Sequence, residues 1–113
     1  MAMRFVLRSK IHKAIVTDAD IDYVSSITID KSLAEKVGLW EGEKVLVVSN
    51  ASGVRLETYV VFGASGEIRM NGAAAHLIKK GEEIIIMGFE LTNKKIKSKK
   101  IFVDKNNKFV KYL

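Results

Sequence analysis

Cysteine and proline are both absent from the 113 residues. Without cysteine there is neither a disulfide framework nor a thiolate zinc site, which fits a reducing, cytoplasmic setting as the expectation. Without proline, turns have to be built on Gly, Asn, Asp and Ser. Histidine is nearly absent too. His12 and His76 lie far apart with no ligand spacing between them, so no metal is expected. The start, MAMRFVLRSK, lacks an apolar run long enough for a signal peptide or a membrane span. Aromatic residues make up 8% and do not cluster, so a stacking platform for nucleic-acid bases is missing.

Positive charge is present, and its location matters. Residues 91–113 carry eight lysines against Asp104 alone, a balance of +7. Residues 1–90 hold 11 basic and 12 acidic residues, a balance of −1. A neutral body with a basic C-terminal segment reads as a solvated edge rather than a uniform binding face. Weak attraction of nucleic acid or an acidic partner is the rival reading.

One domain spanning 1–113 is expected, with no repeat and no low-complexity linker. Short β-type runs dominate: 4–7, 11–16, 27–29, 44–48, 54–62, 67–70, 83–91, 101–104 and 108–112. Asn50-Ala51-Ser52-Gly53 joins two of them as a hairpin, and Asn106-Asn107 joins the last two. Two short helices are predicted. One covers 31–37, capped by Asp30 or Ser32 and closed by Gly38. The other covers 72–78, GAAAHLI. This is a mainly β protein, and its many short strands suggest a small closed barrel. Asp18, Asp20 and Asp22 alternate like the start of a calcium loop, but the later glycine and glutamate are missing.

Three stretches carry candidate chemistry. Ser25 and Ser26 stand directly before the strand Ile27-Thr28-Ile29. A serine hydroxyl can attack the preceding carbonyl, turning peptide into ester, and elimination followed by hydrolysis leaves a pyruvoyl group, an electron sink made from the chain itself. A plain Ser-Ser turn is the bland alternative. In RLETY, Arg55, Glu57 and Tyr59 share one face of a strand and Leu56 and Thr58 the other. A cation and a phenol side by side can bind a carboxylate and deliver a proton, or simply form a cross-strand ion pair with a half-buried tyrosine. In MNGAAAHL, Asn71 and Gly72 precede three alanines, and small residues let backbone N–H groups approach a ligand; a tightly packed helix is the alternative.

Taken together, KIHKAIVTDADIDYVSSITID (10–30), NASGVRLETYVV (50–61) and MNGAAAHLI (70–78) resemble the pyruvoyl-dependent aspartate 1-decarboxylases, from about residue 4 to residue 89. The resemblance implies a double-psi β-barrel and a homotetramer with sites between subunits. It also implies self-cleavage into a β chain, 1–25, and an α chain, 26–113, that begins with the pyruvoyl group. It makes Ser26 the pyruvoyl precursor, Tyr23 the tyrosine of the cleavage motif and Lys10 and His12 the basic pair near the N-terminus. Arg55 becomes the holder of a substrate carboxylate, Thr58 the threonine that assists cleavage and Tyr59 the proton donor. Asn71, Gly72, Ala73 and Ala74 form the substrate loop, and Ile85 lines the pocket. L-aspartate is the implied substrate and β-alanine, for pantothenate, the product.

One position departs from the family pattern. Glycine precedes the family's scissile bond, and here that residue is Ser25. Its side chain adds bulk beside the cut, and costs about 1–2 kcal/mol if φ must be positive. Slow self-cleavage, or cleavage that requires a maturation partner, is expected. An uncleaved, inactive scaffold is the alternative.

Overall fold

The computed structural model describes residues 2–24 and 26–113; Ser25 lies outside them. Nine strands are arranged in the order β2-β6-β3-β5-β4-β7-β1-β8-β9. They are β1 (Arg4–Ile15), β2 (Asp18–Asp20), β3 (Ser26–Asp30), β4 (Lys44–Ser49), β5 (Arg55–Gly63), β6 (Ile68–Asn71), β7 (Glu83–Thr92), β8 (Lys99–Val103) and β9 (Phe109–Tyr112). The mainly β class read from the sequence therefore holds. The cluster of fully buried side chains runs through Ile11, Ile27, Ile29, Val47, Val60, Ile68, Ile84, Ile86 and Ile101. These are β-branched residues that suit pleated, packed surfaces.

Two predicted strands merge. The runs at 4–7 and 11–16 form the single strand β1, which pairs antiparallel with β7 and parallel with β8. Register shifts at Leu7/Ser9 and Ile11/Ala14 bend it, and Lys13 lies at φ 69° inside the second shift. Bulges of this kind interrupt alternation, which is why the pattern breaks in two. Both predicted hairpins form, β4 with β5 and β8 with β9. The short strand β2 is new: its alternating aspartates follow strand pleating, and it pairs parallel with β6.

The first helix, α1 (Lys31–Lys36), is capped by Asp30 rather than Ser32. Asp30 Oδ1 accepts from the backbone N–H of Ser32 and Leu33, and its Oδ2 accepts from Gly66. Gly38, at φ 76°, closes it. The second helix is a correction. Residues 72–78 do not form an α-helix; Gly72–His76 is a 3₁₀ turn. Gly72 sits at φ 61°, outside helical space, and the Asn71 side chain makes no cap bond because it is engaged elsewhere.

The C-terminal hairpin is fastened to the body by Asn107, itself 1% exposed. Its Oδ1 accepts from Ile15 N–H at 2.7 Å, and its Nδ2 donates to the carbonyls of Ile15 and Gly66 at 2.8 and 3.0 Å. Asn107→Ala removes all three partners and leaves buried backbone groups unpaired. A loss of about 2–4 kcal/mol is expected from urea unfolding, with no change in the denaturant slope.

Candidate active site

Alternation along β3 turns Ser26 and Thr28 to one face, and the antiparallel register sets Ser26 opposite Asn71 on β6. All three are buried. Asn71 Nδ2 donates to Ser26 Oγ at 3.0 Å and to Thr28 Oγ1 at 2.9 Å. Ser26 Oγ in turn donates to the carbonyl of Val24 at 3.4 Å, so the hydroxyl is turned back along the chain toward Val24. Asn71 Oδ1 is buried with no partner among the described residues. An unpaired buried oxygen costs about 1–3 kcal/mol, and a donor brought by a ligand would remove that cost.

Strand β5 adds the next residues. Ile27 pairs with Val60, so Ser26 stands level with Tyr59 and Thr58 lies one step before it. Tyr59 is 39% exposed, on the face it shares with Arg55 and Glu57. Thr58 is half-buried and alternates onto the other face. Gly72 and Ala74 are buried directly after Asn71, while Ala73 is exposed. Ser26, Asn71, Gly72, Ala73, Ala74, Thr58 and Tyr59 are thus gathered at the β6-β3-β5 end.

Arg55, Lys10 and Ile85 stand away from that end, on strands β5, β1 and β7. Arg55 stands four residues before Tyr59, about 13 Å along the strand. It pairs with Val48, which pairs with Ile85. Lys10 reaches the same face through Met87, Leu46 and Glu57 in the adjacent row. Glu57 is drawn off by Lys44 at 3.0 Å, and no ion pair holds Arg55 or Lys10 among the described residues. The candidate residues therefore fall into two halves on one chain, one around Ser26 and one spread across the β5-β4-β7-β1 face. The face carrying the second half is bordered by exposed Phe5 and Phe89, which with Lys44, Val45, Leu46 and Glu57 line a groove of about 360 Å³.

Thr28 was not singled out from the sequence, although Ser26-x-Thr28 alternation carried the signal. Ser25, the other half of the expected cleavage site, lies outside the described residues. No grouping of three His, Asp or Glu suited to a metal occurs among the described residues. Among the described residues no helix is long and apolar enough to cross a membrane.

His12 packs edge-on against Phe102, with ring centroids 6.3 Å apart, and its Nδ1 is buried without a partner among the described residues. Burial first, then the charges of Lys10 and Lys13, hold its pKa below the ordinary 6.5. The folded state therefore resists protonation, and stability falls as pH drops through 6.5 toward the folded midpoint. An NMR titration should put the His12 midpoint below 6.5, and His12→Gln should flatten the acid limb of a stability profile.

The family model described as aspartate decarboxylase matches residues 1–110. An aspartate 1-decarboxylase of Caldicellulosiruptor saccharolyticus is 52% identical over 112 residues, covering 94% of this chain and 88% of its own. One from Corynebacterium efficiens is 56% identical over 89 residues, 77% of this chain and 65% of its own. One from Clostridium botulinum is 49% identical over 108 residues, 90% and 87% of the two chains. With the match running through β1, the Ser26 strand, the Arg55–Tyr59 strand and the Asn71 loop alike, the chain belongs to the aspartate decarboxylase family.

Proposed function

We propose that this chain matures by cutting itself between Ser25 and Ser26 and then decarboxylates L-aspartate to β-alanine and CO₂ for pantothenate biosynthesis, as a cytoplasmic homotetramer built on a double-psi β-barrel. The observation that carries the reading is the Ser26 hydroxyl: buried, held by Asn71 and turned back toward Val24.

Maturation needs an oxygen nucleophile near its own preceding carbonyl. Ser26 Oγ attacks that carbonyl, and the C–N bond breaks as the C–O bond forms, leaving an ester and a free amine. Loss of the Cα proton expels the residue-25 carboxylate and leaves a dehydroalanine. Water then replaces its nitrogen, releasing ammonia and leaving the pyruvoyl ketone. Asn71 supports the first step by fixing the Oγ rotamer, and its unpaired Oδ1 fits a site built to receive a further donor.

The pyruvoyl group supplies an electron sink for the pair left behind by CO₂. The other roles fall to the chain's own residues. Arg55 binds the side-chain carboxylate that substrate retains, because a cation beside the departing carboxylate would stabilise the ground state and slow its loss. Ile85 gives the departing carboxylate an apolar neighbour, where desolvation favours loss of charge. Tyr59 Oη delivers the proton to the substrate α-carbon. Lys10 adds positive potential on the same face, and Gly72, Ala73 and Ala74 leave room for substrate.

The separation of the two half-sites supports assembly. Arg55, Ile85 and Lys10 are too far along the sheet from Ser26 to act on one small substrate within a protomer. A second copy covering the Phe5–Phe89 face would bring its own half across and bury the exposed rings.

Mass spectrometry of purified protein should find two fragments joining at 25/26. Ser26→Ala should abolish both the cut and β-alanine formation. Ser25→Gly should speed the cut by restoring space at the scissile carbonyl. A single uncut mass with no turnover would favour the scaffold reading, and a cut made only in lysate would favour a maturation partner. Tyr59→Phe should mature normally and lose turnover by about 10²-fold or more. Light scattering at micromolar concentration should give four chains.

A further inference from the structure

Arg69 lies on β6 two residues before Asn71, about 7 Å along the strand and on the same face. It pairs across the sheet with Thr28 on one side and with Asp18 on the other. Its Nη2 is 3.3 Å from the Asp18 carboxylate, and its Nε is 3.9 Å from Glu67. Its guanidinium lies over the ring of Tyr23, 5.7 Å from the centroid. None of these pairings belongs to the residues that touch substrate.

The segment that Arg69 meets has little else to hold it. Between β2 and Ser26, the side chains of Ile21, Tyr23 and Val24 are 53%, 48% and 76% exposed. Among the described residues its backbone is held by Asp22 N–H to Asp20 Oδ1 at 2.9 Å, Tyr23 N–H to the Asp20 carbonyl at 3.4 Å, and the Val24 carbonyl accepting from Ser26 Oγ at 3.4 Å. The Arg69–Tyr23 stack thus ties this exposed loop to the strand that also bears Asn71. A guanidinium over an aromatic face is attracted by the ring's negative quadrupole, and a plane held on one side by Asp18 is pre-organised to make the contact.

We infer that Arg69 is a positioning residue for self-cleavage: through Tyr23 it holds the chain entering the scissile bond against the strand that carries Asn71. The inference rests on the maturation proposed above. Its partners are partly solvated, so the ion pairs add little to global stability; the effect belongs to the rate at which the carbonyl before Ser26 is presented to Oγ.

Fragment appearance over time tests the rate, and hydrogen exchange tests the hold on the loop independently of any cut. Arg69→Ala should slow fragment appearance by about tenfold while leaving the thermal midpoint nearly unchanged. Arg69→Lys, which keeps the charge but not the planar fork, should recover part of the rate. Tyr23→Leu should copy Arg69→Ala, and the double variant should be no slower than the slower single one. In a Ser26→Ala background, which cannot cut, Arg69→Ala should raise amide exchange at residues 22–24 and leave residues 84–88 unchanged. A parent rate with unchanged loop exchange in Arg69→Ala, or additive losses in the double variant, would overturn the assignment. A parent that never cuts, yet whose loop exchange rises on Arg69→Ala, would sink the maturation reading and support the hold on the loop.

Discussion

One buried carboxamide organises the site. Asn71 has no exposure to water, yet it spends both Nδ2 hydrogens on hydroxyls of the neighbouring strand. The β3–β6 register makes this possible, since a slip of one residue would turn Ser26 and Thr28 to the opposite face. That register is fixed from several directions. Ile27, Ile29, Ile68 and Met70 alternate into the core between the polar residues. Thr17 clasps the start of β6, donating to the Ile68 carbonyl and accepting from its N–H. Asp30, at the far end of β3, caps α1 and reaches Gly66. The Ser26 hydroxyl is therefore held by Asn71 within a register that core packing sets.

Much of the fold was legible because strands of this chain obey simple alternation. The β4–β5 and β8–β9 hairpins were marked by turn residues, and α1 by a cap and a closing glycine. What escaped was governed by pairs distant in sequence. The continuity of β1 through its bulges depends on β7 and β8, neither of which local pattern shows. The 3₁₀ geometry after Asn71 follows from where that side chain is engaged, on a strand 43 and 45 residues away. Motif resemblance pointed to Ser26, Asn71 and Tyr59, which strand pairing brings to neighbouring positions. Thr28 and Arg69 stand out only by their position on a sheet face, which surfaces once the strands are paired.

The same pairing explains why Arg55 and Ser26 share a family signature without sharing a neighbourhood. β5 carries both Tyr59, level with Ser26, and Arg55, four residues away beside Val48 and Ile85. A strand this long links two surfaces about 13 Å apart, and in the proposed assembly a second copy would bring them together and bury Phe5 and Phe89.

The placement of β1 has a further consequence. It lies between β7 and β8, with Ile11 and Ala14 in the core and Ile15 gripped by Asn107. A break after residue 25 would leave this strand threaded through the middle of the sheet, retained by hydrogen bonds and packing alone. The processed molecule would then be a complementation complex. Its unfolding would release two chains, so its melting temperature would depend on protein concentration, and refolding would require the two pieces to find each other again. Maturation of this kind is a one-way passage: the domain folds as one chain, and once opened it cannot regain its shape by a unimolecular route.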